Sequence, residues 1–315
     1  GDGTLGLIAT NTIAQGDTLS TGLDVIVGQN GTIYRADNNR PWPGKAAVVV
    51  NVIHLCKGAM RPPFTLDGNS VKHISKMLDP RTVSGDPYTL RANAGKSHMG
   101  SNVVGIGFAL SPEAAQSLVE RDPRNAEVLF PYINGQDLNS SPSQSPSRQI
   151  INFFDWPLRK GDEDGWFEAD EKQRRAWLRN GIVPTDYPGN VAADYPDCLQ
   201  IVRERVYPDR KDNKGRYARV WWQYGRRQEK LYEAIAPLSR TLAIALTSNT
   251  MAFVFVPTTM VFSHAVIVVA FDRARAFSVL QSTIHTSWAR KFGSSMKGDA
   301  RYTPTDCFET FPFPQ

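Results

Sequence analysis

Cysteine is scarce in this sequence: Cys56, Cys198 and Cys307 are the only three, and they stand far apart. No C-x-x-C pair occurs, so neither a thiolate zinc site nor a disulfide framework is indicated, and reduced thiols are the simplest reading. Histidine is almost as sparse. His54, His73, His98, His264 and His285 show no short metal-ligand spacing. A Gly-x-Ser-x-Gly elbow is absent, which removes the signature of one large class of hydrolases. Apolar runs such as Ala252–Val256 are far too short to cross a bilayer. No signal-peptide pattern opens the sequence, and GDGTLGLIAT reads as the middle of a domain.

Apolar residues make up 41% of the 315 positions, enough for one large or two ordinary domains with real cores. Charged residues are 21%, which argues against a disordered tail. The formal net charge is +5, but residues 201–230 alone hold ten Lys/Arg against four Asp/Glu. The positive charge is therefore concentrated. Tyr207, Tyr217, Trp221, Trp222 and Tyr224 interleave with it. A chain that grips phosphates and offers flat faces to bases needs this combination. A solvated helix face gives a similar charge run.

Strand–helix–strand–loop–strand is the predicted opening. Leu5–Thr10 and Thr32–Arg35 read as short strands, and Asp17–Gly28 has helical spacing. The β-branched run Ala46–Leu55 reads as a central strand covered on both faces. This is the closing part of an α/β sheet. Lys57–Pro63 (KGAMRPP) is a Gly/Pro break and the predicted domain boundary. Beyond it, strands are predicted at Val103–Leu110, Gln149–Phe154, Thr241–Leu246, Ala252–Pro257 and Ser263–Phe271. Helices are predicted at Pro112–Glu120 (Ser111 as N-cap, Pro112 at its first position), Leu199–Val206, Arg226–Ala236 and Ala274–Arg290. Without a βαβ rhythm, this part should be α+β. Ala126–Leu158 is too rich in Pro, Asn, Ser and aromatics for a plain helix or strand. Arg159–Asp194 is polar and reads as a helical insertion or long loop.

Two motif-like stretches fail on spacing. Gly95-Lys96-Ser97 ends like a phosphate loop, but the required earlier glycine is Leu90. Pro208-Asp209 with Asp212-Asn213-Lys214 mimics a nuclease signature, but its acids lie three residues apart in a turn-prone stretch, not on adjacent strands. Gly105 and Gly107 mark a turn or bulge more readily than a cofactor loop. His264 follows a serine inside an apolar strand and reads first as a core or interface histidine, with base contact second. Trp42 stands between Pro41 and Pro43, stiffly held as a stacking platform or packed over its loop. Trp221-Trp222-Gln223-Tyr224 with Arg226 and Arg227 combines aromatic faces, an amide and guanidinium forks. The predicted arrangement has one aromatic in the core and the basic side chains outside.

Several stretches together resemble the MmeI-like family of bacterial restriction–modification enzymes. They include GLIATNTIAQGDT, IYRADNNRPWPGKAAVVV, GFALSPEAAQSLVERDPRNAEVLFPYINGQDLN, SPSRQIINFFDWPL, YPDCLQIVRERVYPDR, WWQYGRRQEKLYEAI, AFVFVP and RYTPTDCFETFPFP, in order along most of the chain. Arg159–Asp194 departs from the pattern. Members of the family join a nuclease, a helical spacer, an adenine-specific DNA methyltransferase and a target-recognition domain in one polypeptide. The resemblance implies α/β plus α+β architecture. Residues 1–60 would be the terminal strands of the methyltransferase's Rossmann-like sheet. Residues 61–315 would be a mixed α+β target-recognition domain, with 159–194 inserted.

The resemblance also implies roles. Trp42 matches the position that stacks on a flipped adenine, and stacking there offsets lost base–base contacts. Arg40 and Lys45 would hold the backbone nearby. Phosphate contacts would come from Arg203, Arg205, Arg210, Lys211, Lys214, Arg216, Arg219, Arg226 and Arg227, with Trp222 offering an aromatic face. Base readout is placed at Ser248, Asn249, Thr250 and His264 on a different ground, that they flank strands expected beside the basic run. The cofactor of the full-length parent would be S-adenosylmethionine. The family's cofactor loop and Asn-Pro-Pro-Tyr motif do not occur here, so this fragment is expected to be inactive alone and to need no cofactor or metal. Expected partners are double-stranded DNA and the remaining methyltransferase and nuclease domains, in the bacterial cytoplasm and not at a membrane. The rival readings are a stand-alone DNA-binding specificity subunit and a protein-interaction scaffold.

Overall fold

The computed structural model describes residues 3–46, 48–80, 87–213, 215–296 and 299–314. The chain forms a mixed α/β structure of several sheets that divides into two compact units. The first comprises Gly1–Ser97, Leu246–Phe253 and Arg273–Gln315; the second comprises His98–Ala245 and Val254–Asp272. The Lys57–Pro63 break therefore lies inside the first unit and does not separate compact bodies.

In the first unit, strand Val49–Lys57 lies between Thr4–Thr10 and Gly31–Pro41 and pairs antiparallel with both. Phe64–Leu66 joins in parallel and Asn69–Val71 closes the far edge. The strand–helix–strand–strand order expected from the sequence is present. Burial along Val49–Lys57 alternates, with Ile53 and Leu55 packed on one face against Leu19 and Leu23. The expectation of cover on both faces is therefore corrected. On edge strand Thr4–Thr10, Leu5 and Ile8 are exposed, one on each face. The expected helix Asp17–Gly28 is two short helices, Gly16–Thr21 and Leu23–Gly28. They part at Gly22, where a Cβ would lie 2.8 Å from Thr18 O.

The C-terminal segments complete this unit. Helices Ala274–Leu280 and Thr283–Phe292 replace the single helix expected, because Ser282 caps the second by accepting from His285 N. Asn93 Nδ2 donates to Phe308 O at 3.1 Å and Phe311 O at 2.8 Å, binding the end of the chain to its first hundred residues.

Two larger sheets build the second unit. One orders Val261–Phe262, Leu129–Ile133, Arg148–Ile151 and Ala109–Leu110. The other contains Val254–Pro257, Arg240–Ala245 and Val266–Val269, all antiparallel. Helix Pro112–Arg121 begins where its sequence demands, with Ser111 accepting from Ala114 N and Pro112 at the first position. The stretch that resisted assignment, 126–158, is a strand and a capped turn of helix, followed by a strand. Asn134 and Asp137 form a capping box between Leu129–Ile133 and the partner strand Arg148–Ile151. The strand expected over Val103–Leu110 shrinks to Ala109–Leu110, because Val104 and Gly105 take positive φ.

Residues 159–194, expected as a helical insertion or long loop, contain one helix between two short strands. Strands Arg159–Lys160 and Ile182–Val183 pair in parallel and flank helix Glu171–Asn180, which buries no residue. Gly181 ends the helix at φ 79°, and a Cβ there would meet the Trp222 ring at 2.3 Å. This segment thus closes directly on the core.

Candidate nucleic-acid interface

Helix Pro196–Arg205 packs Cys198 and Val202 inward, which turns Arg203 and Arg205 outward at its last turn. The turns that follow expose Lys211, Arg216 and Arg219, and Arg226 is exposed just beyond. These cations share the second unit, with Glu204, Asp209, Asp212 and Glu229 exposed among them. Lys214 lies outside the described residues. Arg227 is half-buried and held by Asp155 at 2.6 Å and Glu229 at 3.6 Å. Arg216 Nη2 stands 4.0 Å from the same Asp155 carboxylate. These two guanidiniums are partly neutralised before any ligand arrives.

Arg210 corrects the sequence expectation. It is only 3% exposed and donates to four main-chain carbonyls. Nη1 reaches Trp221 O at 3.0 Å and Gln223 O at 2.6 Å; Nη2 reaches Val103 O at 2.6 Å and Val104 O at 2.8 Å. A planar fork of donors can bind two chain segments at once, which a phosphate contact would prevent. Burial pulls its pKa below the usual arginine value, against a smaller opposing effect of Tyr217.

The aromatic run is corrected too. Trp222 is 1% exposed, with Nε1 donating to Trp156 O at 2.9 Å, so it offers no face to a base. Trp221 and Tyr224 are also buried, and the Tyr224 hydroxyl donates to Ile151 O at 2.8 Å. Trp221-Trp222-Gln223-Tyr224 follows no strand or helix period, so all four enter the core. Aromatic surface stays accessible at Tyr207 and Tyr217 instead.

His264 is exposed, not a core residue. It shares a depression of about 330 Å³ with Asn102, Tyr132, Gln136 and Arg148. A second depression shares Ile106, Ala109 and Arg148 with it and adds Arg205 and Ser111. Arg205 and His264, 59 residues apart, therefore border one continuous surface. Arg148 was missed in the sequence because it stands alone, as the first residue of an apolar strand.

The remaining predicted residues lie in the first unit. Ser248 is buried, and its Oγ accepts from Thr250 N at 3.2 Å; Asn249 and Thr250 are exposed. These residues belong to the first unit and the basic run to the second. Trp42 is 43% exposed, and a Cβ at Gly44 would come 2.6 Å from its Nε1, so the ring lies close over its own loop. Trp42 N donates to Val48 O at 3.0 Å. Arg40 and Lys45 are exposed, with Arg40 3.5 Å from Asp37. A depression of about 470 Å³ in this unit is lined by Thr10, Asn11, Val48, Val49, Arg301 and Asp306.

Among the described residues, no cluster of three His, Cys, Asp or Glu could hold a metal ion, and no helix is long and apolar enough to cross a membrane. What the second unit can do chemically is offer a polyanion outward guanidiniums flanked by polar side chains.

Residues 202–315 match the family model described as MmeI, target recognition domain. A search of the curated proteins finds no match. Among solved structures, the type IIL restriction–modification enzyme MmeI in complex with DNA matches with a TM-score of 0.70 at 18% identity, over 99% of this chain and 39% of that one. The type IIG restriction endonuclease BpuSI gives a TM-score of 0.37 at 10% identity, over 99% and 40%, too low to support a shared fold. The chain thus spans about two fifths of the length of the MmeI chain.

Proposed function

We propose that this MmeI-like restriction–modification fragment recognises a specific sequence in double-stranded DNA. The observation that carries the reading is the target-recognition match over 202–315, which contains the outward cations Arg203, Arg205, Lys211, Arg216, Arg219 and Arg226. In this reading those side chains hold phosphates and set the register, while residues around His264 and Arg148 face base edges. Asn249 and Thr250 are kept as candidate base contacts from the first unit. Arg210 and Trp222 act beneath the surface, shaping it.

The finer assignment concerns the parent protein. Residues 1–60 would supply the terminal strands of an adenine-specific methyltransferase sheet, with Trp42 stacking on the displaced adenine and Arg40 and Lys45 steadying the backbone. Residues from 61 onward would form the recognition domain. The parent would use S-adenosylmethionine to supply the methyl group, would carry an endonuclease, and would work in the bacterial cytoplasm. The one internal Gly-x-Gly, Gly105 and Gly107, sits on a turn, where a Cβ at Gly107 would lie 2.8 Å from Arg205 O. In this reading the chain contributes DNA binding and base stacking, and no residue of it handles the methyl donor.

The test is selection from a randomised duplex pool, at low and near-physiological salt. The expected result is enrichment of one short motif containing an adenine, with affinity falling steeply as salt rises. Binding that ignores salt, or none by a folded chain, would sink the reading and favour a protein-binding surface.

A further inference from the structure

The loop Asn102–Gly107 is fixed from several directions. Asn102 and Arg226 exchange backbone hydrogen bonds of 2.9 and 3.0 Å at its start. The buried Arg210 guanidinium takes the carbonyls of Val103 and Val104. Val104 has φ 55°, a conformation that β-branched residues rarely adopt and that persists only where the surroundings over-determine it. A Cβ on Gly225 would come 2.5 Å from Val104 Cγ2, so that residue must be bare for the loop to seat. Gly107 presses equally closely on Arg205 O at the other end.

This bracing holds up an apolar tip. Ile106 is 68% exposed and Val104 37%. The depressions beside Ile106 are lined by Arg148 and Arg205, with Asp209 in one and His264 in the other. An apolar prong beside guanidiniums complements a duplex groove, where phosphates lie to either side and base surface lies at the floor. Isoleucine has no ring to stack and no group to hydrogen-bond. Its complement among the groove-facing atoms of the bases is the thymine C5-methyl group, which is displayed in the major groove.

We propose that Asn102–Gly107 is a preformed base-reading prong that enters the major groove and sets Ile106 against a thymine methyl. The proposal rests on the DNA-recognition reading above. Arg210 is a positioning residue in it, holding the loop without touching DNA.

The experiment uses the full chain and its Ile106→Ser variant, both checked for folding by thermal melting, in the randomised-duplex selection. For the wild type, a thymine preference is expected at one motif position. The variant should keep the rest of the motif and the same salt slope, but lose about fourfold of that preference, the factor for one buried methyl-sized group. Uracil at that position should weaken the wild type by the same factor and leave the variant unchanged. As a contrast, Arg205→Ala should lower the salt slope by about one and leave thymine preference intact. If the wild type finds a motif to which Ile106→Ser and uracil are both indifferent, the prong is overturned while DNA recognition stands. Salt-dependent binding with no motif also overturns the prong. Absence of salt-dependent binding overturns both.

Discussion

Arg210 in the second unit and His285 in the first are both buried basic side chains, and the two cores accommodate them in opposite ways. Arg210 cannot shed its proton, so the fold surrounds it with four carbonyls. His285 can, and burial pushes its pKa down to about 4. It remains a neutral ring, 2.9 Å from the Tyr302 hydroxyl and 4.4 Å, centroid to centroid, from Phe311. Buried charge is kept where it organises backbone, as in the loop at Val103–Val104. Where the one side-chain partner is a single hydroxyl, as at His285, the charge is given up.

The sharpest way to break this comparison is to remove the guanidinium. Arg210→Met keeps much of the volume and leaves four buried carbonyls without a charged donor. A loss of at least about 3 kcal/mol in unfolding free energy is expected, since each such bond contributes roughly 1.5–3 kcal/mol. The loss should be flat from pH 5 to 8, because arginine does not titrate there. Urea unfolding of the variant at several pH values measures it. A loss under 1 kcal/mol would mean that water replaces the guanidinium and that the loop is not braced from below.

His285 should behave in the opposite way. Its folded pKa, about 4, lies below the unfolded value near 6.5. Above pH 6.5 neither state is protonated and the residue contributes no pH dependence. As pH falls from 6.5 to about 4, the unfolded chain takes up a proton that the folded chain refuses, so stability declines, by about 3 kcal/mol in all. Below 4 the decline stops. His285→Gln should be less stable at pH 7.5 yet lack this part of the acid slope. If wild type and variant lose stability in parallel between pH 6.5 and 4.5, His285 is not held neutral.

What the sequence disclosed follows the range of the interactions involved. Helix Pro112–Arg121 is legible because its cap and its first proline are neighbours in the chain. The concentration of cations is legible because charge adds up locally. Which cation turns inward is not, since the partners that distinguish Arg210 from Arg205 include Val103 and Val104, over a hundred residues away. Trp222 illustrates the same limit: its packing against Gly181 depends on where an insertion closes. The joining of 273–315 to the first hundred residues rests on contacts such as Asn93 with Phe311, separated by most of the chain. The 102–107 loop reads as strand in the sequence because two valines favour extended backbone, and nothing nearby announces the tertiary clamp that holds Val104 at φ 55°.

Exposed arginines give the smallest effects and separate the basic run from the insertion. The run over 201–230 has ten Lys/Arg against four Asp/Glu, whereas 159–194 has six against eight. Within the insertion, Arg175 is spent on Glu171, and Arg174 donates to the carbonyls of Trp166 and Phe167. Arg226→Ala and Arg179→Ala should each change folding stability by no more than about 0.5 kcal/mol, as for other surface substitutions. Their effects on DNA should differ. If Arg226 holds a phosphate, its loss weakens all duplexes alike and lowers the salt slope by about one. If it reads a base, one motif position relaxes and the slope stays. Arg179→Ala should do neither, because the acidic excess around it offsets attraction to a phosphate backbone. A salt slope that fell equally in both variants would extend the DNA-facing surface onto the insertion and remove the distinction drawn from charge balance.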